Sequence, residues 1–169
     1  VHPILFLHNK ALKKPTHPIN ISITKTKHIV LISGPNAGGK SITLKTIGLL
    51  QMMIQFGLLI PCDENSKIRV FKQIFTDLGD NQSIEDELST YSSRLNRMKH
   101  FMANADRNTL YLIDEFGTGT DPRFGAAMSE ALLMNLIPTK AFGAITTHYS
   151  NIKKIGEANP NIENAAMLF

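Results

Sequence analysis

The chain has 169 residues, of which 43% are hydrophobic and 19% are charged, and its mean hydropathy is −0.06. These values are typical of a globular domain and exclude a disordered or collagen-like chain. The formal net charge of +4 permits an anionic partner without requiring one. The single cysteine, Cys62, excludes an internal disulfide and favours a reducing, cytoplasmic compartment. The longest apolar stretch, 47–60, is shorter than the roughly 20 residues that cross a bilayer, so we expect no membrane partner.

Strand and helix patterns alternate along the first half of the chain. Apolar residues with period two predict a half-buried strand at 19–23, and a continuous β-branched run predicts a buried strand at 28–33. A glycine-rich segment then leads into a helical pattern at 40–56. A further strand is predicted near 71–75.

The same alternation continues to the end of the chain. A helix is predicted at 90–103 from its apolar spacing, and a buried strand at 109–113. Asp121 as N-cap and Pro122 as first residue begin a helix that runs to about 137, and a last strand follows at 141–146. Strands separated by helices predict an α/β fold with a mostly parallel sheet flanked by helices.

The segment from Gly34 to Ser41 fits the pattern G-x-x-x-x-G-K-[ST], with a predicted strand before it and a helix after it. Glycines let the backbone wrap closely, so that its N–H groups and the helix N-terminus face phosphate oxygens. Lys40 would bring a positive charge to the β- and γ-phosphates, and the Ser41 hydroxyl would bind Mg²⁺. The segment therefore predicts a nucleoside triphosphate site.

Further chemistry-bearing residues lie where predicted strands end. Asp114 and Glu115 close the strand at 109–113, and two adjacent carboxylates at the end of a buried strand are costly unless they have a function. In a nucleotide hydrolase Asp114 would hold Mg²⁺, and Glu115 would orient or deprotonate the attacking water. His148 follows the last strand, where ligands bind in a doubly wound sheet, and is predicted to sense the γ-phosphate.

These motifs together resemble the ATPase domain of the MutS proteins over nearly the whole chain. The segment 34–41, with Pro-Asn after its first glycine, resembles the family's Walker A motif. Residues 75–85 and 88–93 resemble its middle and signature segments, 114–122 its Walker B motif and D-loop, and 146–149 its histidine switch. The resemblance implies a P-loop NTPase of the ABC type, with ATP and Mg²⁺ as ligands.

The subfamily is also visible in the motifs. Asp121-Pro122 after Gly-Thr-Gly-Thr, and the Gly-Asp-Asn-Gln-Ser-Ile-Glu run at 79–85, resemble the second bacterial MutS subfamily. Its members lack the mismatch-reading domains and often carry a C-terminal Smr nuclease. Since the chain begins without methionine and ends abruptly, we expect residues 1–169 to be a MutS-like C-terminal ATPase domain from a longer protein.

The resemblance implies a composite site. MutS ATPases are dimers in which each ATP lies between the Walker motifs of one subunit and the signature helix of the other. Ser89 and Thr90 would contact the γ-phosphate in trans, at the start of a predicted helix whose N-terminus favours an anion. A helix-capping role for them is compatible with this. Asn36 would approach the γ-phosphate or the opposing subunit, and Asp121 would help to join the two sites.

The predicted site therefore has three groups of residues. The catalytic group is Lys40, Glu115 and His148, and the Mg²⁺ ligands are Ser41 and Asp114. The nucleotide contacts are Gly34, Pro35, Asn36, Ala37, Gly38, Gly39, Lys40, Ser41, Ile42, Ser89, Thr90 and Asp121.

Two positions depart from the family's pattern. Where the second subfamily usually has histidine after the signature serines, this chain has Arg94. An aromatic residue that stacks on adenine in mismatch-repair relatives would fall just before Pro18, and Thr16 and His17 stand there instead.

The leading hypothesis is an ATPase that dimerises around ATP and drives conformational change in a DNA-acting protein, in mismatch repair or recombination control. Duplex or branched DNA would bind through domains outside this chain, and dimerisation and turnover would be weak without them. A transporter-type ATPase is the first alternative, but its Leu-Ser-Gly-Gly-Gln signature is replaced here by Leu-Ser-Thr-Tyr-Ser at 88–92. An ATP-binding scaffold without turnover and, more distantly, a small-molecule kinase also remain open.

Overall fold

The computed structural model describes residues 1–35, 38–78, 87–115, 117–118 and 120–167, without the side chains of 87–91. Its helices and strands in chain order are α1 (Pro3–Ala11), β1 (Ile29–Ser33), α2 (Lys40–Gln55), β2 (Gln73–Asp77), α3 (Glu87–Asn104), β3 (Thr109–Ile113), α4 (Pro122–Leu136), a 3₁₀ turn (Ile137–Thr139), β4 (Phe142–Thr146), α5 (Ser150–Ala158) and β5 (Ile162–Ala166).

The described strands form one five-stranded sheet in the order β2–β3–β4–β1–β5, and every neighbouring pair is parallel. The three central strands, β3, β4 and β1, are almost entirely buried. Such continuous apolar strands suit a parallel sheet that helices cover on both faces. The predicted α/β architecture is therefore confirmed, and all strand carboxyl ends lie at one edge of the sheet.

Alternate residues of each strand build two core layers on opposite faces of the sheet. Ile29 and Leu31 of β1 belong to a cluster that contains buried side chains of α3, α4 and α5. Val30 and Ile32 belong to a second cluster, to which α2 contributes the buried side chain of Leu44. Because side chains alternate along a strand, one sheet serves both layers. None of the helices in the described ranges is long and apolar enough to cross a bilayer.

Most predicted elements are confirmed, some with shifted ends. The strand at 109–113 is found with those bounds, and Asp121 caps α4 by accepting a hydrogen bond from the Arg123 N–H at 2.9 Å. The strand predicted near 71–75 is β2, two residues further along, because Phe71 packs in the core before the ladder begins. Helix α3 begins earlier than predicted, at Glu87.

The strand predicted at 19–23 is wrong, because this segment is irregular and pairs with no described strand. Its apolar alternation reflects partial burial, with Ile23 packed on the second core layer. The sequence analysis also missed α1, α5 and β5. Residues of β5 are Ile-Glu-Asn-Ala-Ala, which carry too little apolar character to indicate an edge strand.

Tyr111 is fully buried in β3, and its hydroxyl has no hydrogen-bond partner among the described residues. Gly143 on β4 makes room for the ring, since an added Cβ there would lie 2.1 Å from Tyr111 Cε2. Burial raises the pKa of the Tyr111 phenol far above its usual range. The hydroxyl therefore loses its hydration on folding without receiving a hydrogen bond in return.

We expect Tyr111→Phe to raise the free energy of unfolding by about 1 kcal/mol, because it removes a desolvated and unpaired hydroxyl. Tyr149→Phe is the matched control, since the Tyr149 hydroxyl donates to the Gly117 carbonyl at 2.9 Å. That change should lower the free energy by about 1 kcal/mol. Urea unfolding measures both, and equal losses in the two variants would contradict the account of Tyr111.

Candidate functional site

The predicted site residues converge on one edge of the sheet. The loop 34–39 follows β1, Asp114 and Glu115 follow β3, and His148 lies two residues after β4. These three strands are neighbours, with β4 between β3 and β1. Parallel pairing thus places groups that are distant in sequence beside each other at the carboxyl ends of the strands, where open α/β sheets bind ligands.

The loop between β1 and α2 requires glycine at two places. Gly34 has φ +136° and Gly39 has φ +83°, in the region that side chains rarely adopt. Gly39 also precedes the first turn of α2, in which Ser41 and Ile42 lie half-buried. The loop therefore carries a helix N-terminus at its end, as an anion site requires. Asn36 and Ala37, predicted nucleotide contacts, lie outside the described residues.

Lys40 is buried at the base of this loop, with only 2% of its surface exposed. Its ammonium donates to the carbonyl of Gly34 at 2.7 Å and to that of Pro35 at 2.9 Å. Burying an ammonium is costly unless it is hydrogen-bonded, and these carbonyls offset that cost. The positive charge is thereby held beside the first two residues of the loop.

Asp114 and Glu115 are both bound by the hydroxyl of Thr146, the last residue of β4. This hydroxyl donates to Asp114 Oδ1 at 2.5 Å and accepts from the Glu115 N–H at 2.7 Å. Thr146 is completely buried, and Asp114 is only 5% exposed. The bridge fixes the Asp114 carboxylate and the Glu115 backbone against the neighbouring strand. Thr146 is a site residue that sequence reasoning missed, although its position at a strand end was a usable signal.

Glu115 adopts a left-handed backbone conformation, with φ +50°. For a residue with a side chain this conformation costs about 1–3 kcal/mol, and such strain is concentrated at functional sites. The Glu115 carbonyl accepts from the Thr118 hydroxyl at 2.9 Å and from the Thr118 N–H at 3.1 Å, which holds the turn. The turn leaves the Glu115 side chain 48% exposed, with Oε1 3.7 Å from Nε2 of His148.

The remaining predicted residues lie around this centre. Asp121 is half-exposed as the N-cap of α4. Ser89 and Thr90 lie within the first turn of α3 rather than before it, so neither caps this helix. Their side chains are outside the described set.

A cavity of about 830 Å³ lies elsewhere, beneath α3, where Phe75, Phe101 and Tyr111 are among its lining residues. Asp77, Ser92 and Arg97 also line this cavity, but we assign the ligand site to the ends of β1, β3 and β4, because the glycine loop, Lys40 and the Asp-Glu pair converge there. Within the described residues, no cluster of three or more His, Cys, Asp or Glu side chains could hold a metal ion alone. A divalent cation at this edge would therefore need ligands from a bound phosphate and from water.

Comparison with known proteins identifies the family. The family model for MutS domain V matches residues 30–169. The chain belongs to the MutS domain V family. The strand-edge site therefore lies in a P-loop ATPase-type fold, and the family expected from the motifs is confirmed.

The relatives of this chain include proteins named Endonuclease MutS2. One from Halothermothrix orenii is 44% identical over 168 residues, which are 99% of this chain and 20% of that protein. One from Lactobacillus gasseri is 46% identical over 94% of this chain and 21% of the relative. The protein from Pediococcus pentosaceus is 48% identical over 83% of this chain and 18% of the relative. The expected subfamily is thus confirmed, and the chain spans about one fifth of the length of these relatives.

We expect Thr146→Val to lower the free energy of unfolding by about 1–3 kcal/mol, because the Glu115 N–H and the Asp114 carboxylate both lose a buried partner. Thr146→Ser retains the hydroxyl and is the matched control, with a smaller loss from the missing methyl group. Urea unfolding distinguishes the two. Equal losses would show that the methyl group, and not the hydroxyl bridge, stabilises this edge.

Proposed function

We propose that this domain binds ATP with Mg²⁺ at the strand edge and hydrolyses it. The observation that carries the proposal is the convergence of a phosphate loop, a buried lysine and an Asp-Glu pair on neighbouring strand ends. A phosphate-binding loop alone would support binding only. The exposed carboxylate of Glu115 adds a group that can act on water.

The loop fits a triphosphate. Its positive-φ glycines allow a close approach, and the backbone N–H groups at the N-terminus of α2 would bind an anion. The Lys40 ammonium, bound to the carbonyls of Gly34 and Pro35, is already at the loop and would exchange these neutral partners for phosphate oxygens. The phosphate oxygens are negatively charged whereas the carbonyls are neutral, so Coulomb attraction to the ammonium favours that exchange.

The residues present also fit Mg²⁺, a hard cation that prefers oxygen ligands and retains several waters. The Ser41 hydroxyl and the Asp114 carboxylate would hold it, with Thr146 fixing the orientation of that carboxylate. Mg²⁺ would supply neutralisation of the phosphate charge. Asp114 and Ser41 themselves would orient the triphosphate for attack.

Glu115 would accept the proton of the attacking water or orient it as a general base. Its strained backbone holds the carboxylate in place at a half-exposed position, where water can enter. His148, 3.7 Å from that carboxylate, would contact the γ-phosphate and restrict the position of Glu115. Both side chains are partly exposed and lie beside each other at the strand edge.

We also propose that each ATP site is formed by two copies of the domain. The N-terminal turn of α3 presents Ser89 and Thr90, and these would bind the γ-phosphate held by a second copy of the domain. Asn36 would approach the same phosphate, and Asp121 at the start of α4 would join the two sites. ATP would close this dimer and hydrolysis would reopen it, moving DNA-binding parts of a longer protein that acts in mismatch repair or recombination control. Residues 1–169 would be its ATPase domain.

An ATP-binding scaffold without turnover is the second candidate, because Lys40 and the loop would suffice for it. We expect Glu115→Gln to retain ATP affinity and to reduce the turnover number by roughly 100-fold or more, since it removes the general base but no phosphate contact. Phosphate release and calorimetry measure the two quantities. Glu157→Gln, at an exposed position on α5, is the control and should change neither. Unchanged turnover in Glu115→Gln would contradict the catalytic role.

We expect Lys40→Ala to weaken ATP binding by at least tenfold, because the triphosphate loses its buried positive charge. Calorimetry with ATP and Mg²⁺ measures this loss. Lys45→Ala, one turn further along α2, is the control. Equal affinity in Lys40→Ala and the wild-type chain would place the nucleotide elsewhere on the molecule.

A further inference from the structure

One guanidinium group connects helix α3 to the Asp-Glu pair. Arg94 Nε donates to Asp77 Oδ2 at 2.5 Å, and its Nη2 donates to the Asp114 carbonyl at 2.5 Å. The same Nη2 is 3.5 Å from the Glu115 carbonyl, and Nη1 donates to the Thr118 hydroxyl at 3.3 Å. Arg94 thus contacts both the end of β2 and the turn that holds Glu115 in its left-handed conformation.

The anchor of this connection is Asp77, the last residue of β2. Its side chain is 9% exposed, and its backbone carbonyl accepts the Asp114 N–H at 2.8 Å. The two peptide units that flank the Asp114 Cα are therefore both held, because Asp77 accepts from the Asp114 N–H and Arg94 donates to the Asp114 carbonyl. A planar guanidinium can make these contacts at once because its donors form a rigid fork, which a lysine ammonium does not offer.

A second arginine on the same helix provides a comparison. Arg97 Nη2 donates to Asp77 Oδ1 at 3.2 Å, but its side chain is 53% exposed whereas that of Arg94 is 17% exposed. Within the described part of the chain, Arg94 hydrogen-bonds to the turn after β3, whereas Arg97 hydrogen-bonds to Asp77. Both arginines pair with one carboxylate, and they differ in the contact to the Asp-Glu pair.

We propose that Arg94 is a positioning residue that couples the placement of α3 to the placement of Glu115 in the same subunit. The inference rests on the proposed function, in which Glu115 acts on the subunit's own nucleotide and the first turn of α3 acts on the partner's nucleotide. Movement of α3 on contact with that second nucleotide would pull on the Asp114 and Glu115 carbonyls through Arg94. Hydrolysis at one site would thereby depend on occupancy of the other.

The first test compares Arg94→Gln with Arg97→Gln, which each remove one ion pair to Asp77. We expect Arg94→Gln to lower the turnover number about tenfold with the ATP dissociation constant within twofold of wild type. Arg97→Gln should leave both within twofold. Arg94→Lys should not restore turnover, because one ammonium cannot reach Asp77 and the Asp114 carbonyl together. Arg94→Lys also keeps the ion pair with Asp77. If Arg94→Gln does not fold, the turnover number of Arg94→Lys tests the proposal instead.

The second test places the change on one subunit of a mixed dimer. In a mixed dimer, one subunit carries Glu115→Gln and the second subunit keeps an intact Glu115. Only the ATP site that contains the intact Glu115 should hydrolyse ATP. Arg94→Gln should lower turnover when it stands on the subunit with intact Glu115, and should not when it stands on the Glu115→Gln subunit. Equal effects in both placements would show that Arg94 acts through α3 alone, and would overturn the proposal.

The outcomes separate this inference from the proposed function. A wild-type chain that binds ATP without turnover would refute the proposed hydrolysis itself. A wild-type chain that hydrolyses ATP, is inactivated by Glu115→Gln and loses no turnover with Arg94→Gln would refute only the role of Arg94.

Discussion

Parallel pairing of β3, β4 and β1 is the constraint on which the site depends. In this order the carboxyl ends of three strands lie side by side, so the loop after β1 and the acidic pair after β3 flank the end of β4. A hydroxyl at the end of β4 can then bond to the acidic pair, as Thr146 does. An antiparallel neighbour would have presented its other end there. The register of the sheet, set by buried apolar strands, therefore determines which polar groups meet.

The functional groups of the site occupy positions that cost folding free energy, and nearby hydrogen bonds offset that cost. Lys40 and Asp114 are buried, and Glu115 has a strained backbone. Carbonyls of the phosphate loop bind the lysine, and Thr146 binds the aspartate. Because the hydrogen bond from Thr146 is directional, the Asp114 carboxylate is held at a fixed position before any ligand arrives. Such preorganisation is what electrostatic stabilisation of a transition state requires.

The amino-acid sequence predicted the parts of this site that are local in the chain. The phosphate loop, the Asp-Glu pair and the Asp121 cap are each specified by a few consecutive residues, and their elements were found where expected. The contacts of Thr146 and Arg94 link residues 17 to 32 positions apart, so no local pattern indicates which partners they bind. The strand expected at 19–23 failed for a related reason, since apolar alternation reports burial but not the presence of a pairing partner. Helix α5 went unseen because its sequence is largely polar, and strand β5 went unseen because Glu, Asn and Ala are uncommon in strands.

We propose that this strand edge binds the triphosphate for hydrolysis. A crystal structure of the chain with Mg²⁺ and a non-hydrolysable ATP analogue tests it most directly. We expect the phosphates to lie within the loop 34–41, with Mg²⁺ beside Ser41 and Asp114. The Lys40 ammonium should have moved from the Gly34 and Pro35 carbonyls to phosphate oxygens. A nucleotide bound elsewhere, or a Lys40 ammonium that still bonds only to the loop carbonyls, would contradict it.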